Sequence, residues 1–150
     1  MIATDGSENS IEAARRGLRL LGDQPHDDVT LLTVVPPAIE PLMDSTGFAG
    51  PVVTPSEVEQ IQKSNDERAH VALSATNAAL TEQGEHTHQE IVMGTDVGHA
   101  VVTAAKRENV DVIVMGASTR GWFRRLFEGP TVHYVIEHAD CPVLTIPHHE

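Results

Sequence analysis

The sequence predicts an α/β fold, a doubly wound five-stranded parallel sheet with helices on both faces. Short runs rich in β-branched residues alternate with longer amphipathic segments, which is typical of consecutive βαβ units. One run, Val29–Val35 (VTLLTVV), is apolar at nearly every position, as expected of a strand covered on both faces. The chain has 150 residues and is predicted to form a single domain over residues 1–150.

The first strand is expected at residues 1–4, followed by a turn at residues 5–7 and a helix. That helix should bury one apolar face, formed by Ile11, Ala14, Leu18 and Leu21. A strand of four residues is short for the centre of a sheet, where strands average about five or six. We therefore expect translation to start upstream of Met1; the alternative is a strand that is simply short.

Residues 36–54 are rich in proline, lack a steady period and are predicted to form a flexible loop or insertion. A long helix should begin at Thr54, because Thr54 and Glu57 have the spacing of a capping box and Pro55 suits the first helical position. This helix is expected to run to Gln83 and to stop at Gly84.

The second half of the chain continues the alternation of strands and helices. Strands are predicted at residues 90–93, 111–115 and 142–146, with helices at residues 96–109 and 131–138. The strand at 111–115 should end at Gly116, which opens a loop rich in glycine and arginine.

The charge of the chain excludes some classes of function. The sequence has 22 acidic and 10 basic residues and a net charge of −12, so that it lacks the basic surface on which unassisted nucleic-acid binding depends. It has neither a membrane-spanning apolar run nor a signal peptide, and its one cysteine, Cys141, agrees with a reducing compartment. We expect a cytoplasmic protein with no nucleic-acid or membrane partner. The acidic excess suggests either a halophilic source or an ordinary acidic cytosolic protein.

A ligand site is expected at the carboxyl ends of the strands, where the winding direction of an open parallel sheet reverses. The loop after Gly116 carries Arg120, Arg124 and Arg125, and the helix after it offers backbone N–H groups near Gly129. Arginine side chains and a helix N-terminus favour an anion such as a phosphate. The alternative is that these arginines balance local carboxylates or cover apolar surface.

Several motifs together identify a family resemblance. The Asp-Gly-Ser turn at residues 5–7, the Val-Met-Gly run at 114–116, the glycine-spaced loop and the His-Ala-Asp-Cys-Pro-Val-Leu segment at 138–144 resemble the universal stress protein family over essentially the whole chain. This resemblance implies an adenine nucleotide alpha hydrolase-like fold. It also implies a homodimer paired through the last strand, from Val143 to Ile146.

The resemblance also implies which residues surround a nucleotide. Asp5 and Val34 would lie near the adenine or ribose, and Met115, Gly116 and Gly129 would line the phosphate side. The implied ligand is ATP or AMP, with Mg²⁺ as a further component of the site.

This chain departs from the family's nucleotide signature, Gly-x2-Gly-x9-Gly-Ser/Thr, at two of four positions. Thr119 replaces a glycine, and Pro130 replaces a hydroxyl residue and lacks a backbone N–H. Thr131 lies next to Pro130 and would partly compensate. Three alternatives remain open: intact ATP binding, weak or altered binding of a smaller nucleotide such as AMP, and a lost site, which would leave a nucleotide-free dimeric interaction module.

No catalytic constellation is evident in the sequence. It has no P-loop, no nucleophile elbow and no zinc-protease motif, so that slow ATP hydrolysis is the most that we expect. His86 and His88 would share one face of an extended segment, but no cysteine pair or firmly spaced carboxylate accompanies them. We predict no metal site built from protein ligands and no catalytic residue.

Overall fold

Five parallel strands form one sheet in the order β3-β2-β1-β4-β5. The computed structural model describes residues 1–22, 26, 28–38, 54–117 and 129–147. The strands are β1 (Ile2–Ala3), β2 (Val29–Val35), β3 (Thr87–Met93), β4 (Ile113–Ala117) and β5 (Val143–Pro147). The helices are α1 (Glu8–Leu21), α2 (Pro55–Thr81), α3 (Val97–Glu108) and α4 (Gly129–His138). The predicted doubly wound fold is confirmed.

Strand β1 occupies the centre of the sheet. Ala3 is paired with Leu32 of β2 on one side and with Met115 of β4 on the other. From β1 the chain winds outward through β2 to β3, then crosses back to β4 and ends at β5. The winding direction therefore reverses between β1 and β4.

The two faces of the sheet are covered by different pairs of helices. Helices α1 and α2 pack on one face, and α3 and α4 pack on the other. Helix α1 lies very close to β4 at Gly17, because a Cβ added there would be 2.3 Å from Cγ1 of Val114. The residue type at position 17 thus sets how near the helix can approach the sheet.

Helix α2 begins with the predicted capping box. The Thr54 hydroxyl accepts the backbone N–H of Glu57, and the Glu57 carboxylate accepts the backbone N–H of Thr54 at 2.8 Å. The helix has 27 residues, and most of the first ten are exposed. It ends at Thr81 rather than at the predicted Gln83, since the chain turns there and Gly84 follows with φ of +86°.

Two predictions were wrong, one about the buried face of α1 and one about the start of β3. Leu21 does not belong to the buried face of α1 but is 42% exposed at the end of the helix; the buried residues are Ser10, Ala13, Ala14, Gly17 and Leu18. Strand β3 begins at Thr87, not at residue 90, and its first residues are polar because β3 is an edge strand that exposes them.

The other boundaries moved by one or two residues. Strand β1 is shorter than predicted, whereas β4 and β5 both begin and end later, because Ile113 is paired with Val143 and Ala117 with Pro147. Helix α4 begins two residues earlier, at Gly129. The predicted loop at 36–54 falls largely on residues 39–53, which lie outside the described residues. None of the described helices has both the length and the apolar character needed to cross a membrane.

Candidate functional site

The edge of the sheet where β1 and β4 end carries three of the predicted site residues. Asp5 lies two residues beyond Ala3, which is paired with Met115, and Gly116 is the next residue of β4. Val34 lies in the neighbouring strand β2, one residue before its end. The fold therefore brings Asp5, Val34, Met115 and Gly116 to adjacent strand ends.

These residues differ in how far they are open to a ligand. The side chains of Val34 and Met115 are buried in the core on the α3–α4 face. They therefore pack beneath the site and are not open to solvent. Gly116 is half-buried and Asp5 is partly exposed. Asp5 is thus the polar side chain that the strand ends present to solvent at this point.

The remaining predicted site residues belong to helix α4 and the loop before it. Gly129 is the first residue of α4, and Thr131 lies in its first turn and is half-buried. Because α4 lies in the crossover between the parallel neighbours β4 and β5, its N-terminus lies toward the same edge of the sheet as Asp5. Thr119 and Arg120 lie outside the described residues.

The carboxylate of Asp5 is held by the residue that caps α1. Ser7 donates both its backbone N–H (3.0 Å) and its hydroxyl (2.6 Å) to Oδ1 of Asp5. Ser7 is itself the N-cap, and its hydroxyl oxygen accepts the N–H of Ser10 at 3.2 Å. Within the described part of the chain, these two bonds hold the Asp5 carboxylate through Oδ1.

A cluster of buried hydroxyl groups lies directly beneath this turn. The hydroxyl of Thr4 is 3.0 Å from that of Ser10 and 2.9 Å from that of Thr76, and it accepts the backbone N–H of Gly6 at 3.1 Å. Thr33 donates its hydroxyl to the carbonyl of Thr4 at 2.8 Å. These contacts join β1, β2, α1 and α2 at one point below the site.

No local pattern in the sequence indicates this cluster. Ser10 and Thr76 are small polar residues at buried positions of two helices. A buried hydroxyl on an apolar helix face does indicate a hydrogen-bonded partner, but the sequence does not say which one, because the partners lie up to 72 residues apart.

Helix α2 forms one wall of an open groove beside the turn. The groove has a volume of about 530 Å³ and is lined by Asp5, Gly6, Ser64, Glu67, Arg68, Val71 and Ala72. Its wall combines both signs of charge with the exposed side chain of Val71. The helix is also tied to the end of β2, since Asn65 donates to the carbonyl of Pro36 at 3.2 Å.

A larger groove, of about 980 Å³, lies at the opposite edge of the sheet and is lined in part by Asp28, His88 and Asp111. Beside it the buried carboxylate of Glu85 accepts the backbone N–H of His26 at 2.9 Å and lies 2.9 Å from Nδ1 of the same residue. We place the candidate site at the carboxyl edge despite this larger volume, because the free backbone groups of strand ends and helix N-termini converge there.

Metal ligands do not converge in the described part of the chain. No group of three His, Cys, Asp or Glu side chains is placed there to hold an ion. His86 and His88, the pair singled out in the sequence, are both exposed.

Comparison with known proteins places the chain in a family. The model of the universal stress protein family matches residues 1–147. The universal stress protein MJ0531 of Methanocaldococcus jannaschii is 27% identical over 146 residues, which cover 97% of this chain and 79% of the relative.

Two solved structures share the fold over nearly all of their length. The universal stress protein UspA from Lactobacillus plantarum is 23% identical, with a TM-score of 0.68 and coverage of 97% of this chain and 95% of that one. A family protein from Arabidopsis thaliana with AMP bound is 18% identical, with a TM-score of 0.65 and coverage of 99% and 91%. The family match spans both the Asp5 turn and the β4–α4 region, and the chain belongs to the universal stress protein family.

Proposed function

We propose that this chain is a cytoplasmic regulatory protein that binds an adenine nucleotide, AMP or ATP, between the ends of β1 and β4. The observation that carries the proposal is the Asp5 carboxylate, fixed by Ser7 at the point where the winding direction reverses. The AMP bound to the structurally similar Arabidopsis protein gives the ligand class.

The described residues offer suitable chemistry for both ends of a nucleotide. Among the described residues Ser7 binds Oδ1 of Asp5, and Oδ2 would accept ribose hydroxyl groups. Helix α4 would receive the phosphates at its N-terminus, where the helix dipole favours an anion. Mg²⁺ would enter this site as part of Mg-ATP.

The proposal is tested by thermal unfolding with and without millimolar AMP, ATP or Mg-ATP. A ligand present at 100 times its Kd adds about 2.7 kcal/mol to the free energy of unfolding. At about 2 to 4 °C per kcal/mol for a domain of this size, the midpoint of thermal unfolding should rise by roughly 5 to 11 °C. GMP at the same concentration is the control, because it carries the same phosphate and a different base. A shift with AMP or ATP that GMP does not reproduce supports the proposal; no shift with any adenine nucleotide contradicts it.

Restoring the family signature gives a sharper test. The double variant Thr119→Gly, Pro130→Ser returns a small residue and a hydroxyl with its backbone N–H to the two divergent positions. One phosphate hydrogen bond is worth roughly 1.5 to 3 kcal/mol, so that affinity should rise at least tenfold. An unchanged Kd would mean that the phosphates do not contact this region.

A second candidate function is a nucleotide-free interaction module in the stress response. Pro130 favours it, because this residue removes a backbone N–H from the first turn of α4, where a phosphate would bind. The two candidates separate in the same experiments: absent thermal shifts in the natural chain together with binding by the restored variant would favour the module. Phosphate release above background from bound ATP would instead indicate slow hydrolysis.

We further propose that the protein is a homodimer joined through β5. Strand β5 is an edge strand whose Val143, Leu144 and Thr145 are partly exposed, and an apolar edge tends to pair with another strand. Thr145→Lys should dissociate the dimer in sedimentation velocity, because charge at an edge opposes pairing. Gln89→Lys, on the opposite edge strand β3, is the matched control and should leave the mass unchanged. A monomeric natural protein, or a Thr145→Lys variant that remains dimeric, would contradict this interface.

The net charge of −12 supports the further proposal that the protein works in concentrated salt. Its urea midpoint should then rise between low and molar KCl well beyond that of a neutral domain of the same size. A midpoint that does not depend on KCl would indicate an ordinary acidic protein.

A further inference from the structure

We infer that Thr76 of helix α2 is a positioning residue for the nucleotide site: its hydroxyl, acting through Thr4, holds the turn that carries Asp5. The inference rests on the proposed nucleotide binding for its functional meaning. Its geometric part concerns the turn alone and can be tested without a ligand.

The connection from Thr76 to Asp5 consists of two hydrogen bonds and one peptide unit. The hydroxyl oxygens of Thr76 and Thr4 are 2.9 Å apart, and the N–H of Gly6 donates to the Thr4 hydroxyl at 3.1 Å. That N–H belongs to the peptide that follows Asp5. Fixing its direction therefore fixes the backbone from which the Asp5 side chain projects.

The direction of each hydrogen bond in the cluster depends on the directions of the others. The hydroxyls of Thr4, Ser10 and Thr76 have three protons for four contacts, two between hydroxyls and one each to the carbonyls of Ser7 and Ala72. Two arrangements turn both contacts between hydroxyls into hydrogen bonds. In one, Thr76 donates to Thr4, Thr4 to Ser10, and Ser10 to the carbonyl of Ser7. In the other, Ser10 donates to Thr4, Thr4 to Thr76, and Thr76 to the carbonyl of Ala72.

Both arrangements leave Thr4 fully bonded. Its oxygen donates once and accepts twice, and one of the two accepted bonds always comes from the N–H of Gly6. If the hydroxyl of Thr76 is removed, Thr4 loses one of its three partners. Thr4 and Thr76 are fully buried, so that water is poorly placed to replace the lost partner.

Packing reinforces the same connection. Gly6 lies against Ala72, one turn before Thr76 on α2, and Asn65 ties the same helix to Pro36 at the end of β2. Helix α2 is thereby attached to the ends of both β1 and β2, beside the proposed site. Thr76 gives this helix a polar attachment at the Asp5 turn, beside the apolar contact of Ala72.

The test compares three variants of the full chain. Thr76→Val keeps the branched shape and removes the hydroxyl, whereas Thr76→Ser keeps the hydroxyl. Thr81→Val is the matched control, because Thr81 lies on the same helix and makes the same kind of bond, to the carbonyl of Asn77 at 2.9 Å, far from the turn.

Amide hydrogen exchange of Gly6 and Ser7 is measured first, in the absence of nucleotide. We expect exchange to be roughly three- to tenfold faster in Thr76→Val than in Thr81→Val, because this is the effect of losing one hydrogen bond. Exchange in Thr76→Ser should be close to that in the natural chain. Unchanged Gly6 exchange in a folded Thr76→Val protein would overturn the inference.

AMP affinity is then measured for the same variants by titration calorimetry. The Kd should rise roughly three- to tenfold in Thr76→Val and stay unchanged in Thr81→Val. Lower global stability does not change the Kd while the protein remains folded, so that a merely structural role predicts equal affinities. If the natural chain binds no AMP, the proposed function fails, and the exchange data still decide whether Thr76 positions the turn.

Discussion

Gly6, in the turn between β1 and α1, lies directly against Ala72 in the middle of helix α2. A Cβ added to Gly6 would be 2.5 Å from Cα of Ala72 and 2.7 Å from its Cβ. The backbone of Gly6 also has φ of +72°, which L side chains rarely adopt. Position 6 therefore requires glycine for two independent reasons, one steric and one conformational.

Gly6→Ala should accordingly destabilise the protein. Overpacking alone costs about 1 to 3 kcal/mol, and the unfavourable backbone conformation adds to this cost. The free energy of unfolding is measured by urea titration. Gly22→Ala is the matched control, because no atom lies within 4 Å of a Cβ added at Gly22 and its φ of 163° is extended backbone. Equal stability of the two variants would show that the turn can separate from α2 at little cost.

A second prediction concerns two carboxylates that share one arginine. Arg107 donates to Glu90 and to Glu108, and Thr30 donates its hydroxyl to Glu108 at 3.0 Å. Burial raises the pKa of Glu90, and its hydrogen bond with Glu108 raises this pKa further against the opposing effect of Arg107. Burial also acts to raise the pKa of Glu108, but its hydrogen bonds with Glu90, Arg107 and Thr30 outweigh burial and lower it.

The opposite directions of these pKa shifts predict opposite effects of substitution. The stabilising contribution of Glu90 is present below its ordinary pKa and is lost as pH rises through the raised value. That of Glu108 is present above its ordinary pKa and is lost as pH falls through the lowered value.

At pH 7, Glu90→Gln should therefore leave the free energy of unfolding unchanged or raise it, whereas Glu108→Gln should lower it. The difference between the two variants should shrink near pH 3. Urea titrations at both pH values provide the measurement. A larger loss for Glu90→Gln than for Glu108→Gln at pH 7 would contradict the assignment.

Elements with strong local signals could be predicted from the sequence. The nearly continuous apolar run of β2 predicted both of its bounds correctly, and the capping box of Thr54 and Glu57 predicted the start of α2. Both signals are contained within a few consecutive residues. They depend little on what the rest of the chain does.

Features that depend on tertiary position could not be predicted in this way. Leu21 continues the apolar period of α1, but the helix end is exposed there, and periodicity does not reveal where a helix runs past its sheet. Strand β3 begins with polar residues because it is an edge strand, and strand order is a property of the whole fold. The contact between Thr76 and Thr4 spans 72 positions of sequence.

A third prediction concerns the capping box at low pH. The pKa of Glu57 is lowered by hydrogen bonds from Thr54, first from its backbone N–H and then from its side chain. The capping contact is therefore present above the ordinary pKa of Glu57 and is lost as pH falls through the lowered value, which should loosen the first turn of α2.

Thr54→Ala should shift the pKa of Glu57 upward but only part of the way to its ordinary value, because the backbone N–H, the larger contributor, remains. NMR titration of the Glu57 carboxyl carbon measures this shift, with Thr81→Ala at the other end of the helix as the control. Complete return of the pKa to its ordinary value would show that the backbone bond depends on the side chain.

The last prediction separates a specific role of Asp5 from the general effect of its charge. Removing a negative charge near a nucleotide phosphate should, by electrostatics alone, raise affinity. Asp5→Asn nevertheless should weaken AMP binding roughly tenfold, because a hydrogen bond to a carboxylate is stronger than one to an amide by about 1 kcal/mol or more. An Asn side chain keeps an oxygen that can accept from Ser7, so that the turn itself should persist.

Glu67→Gln provides the background effect, since Glu67 lines the same groove beside Asp5. In titration calorimetry the Kd of Glu67→Gln should be unchanged or slightly lower than that of the natural chain. The Kd of Asp5→Asn should be higher. Such opposite signs support a hydrogen bond from the nucleotide to the Asp5 carboxylate. If both variants bind more tightly, Asp5 acts as a nearby charge only, and the ribose must be held by other groups.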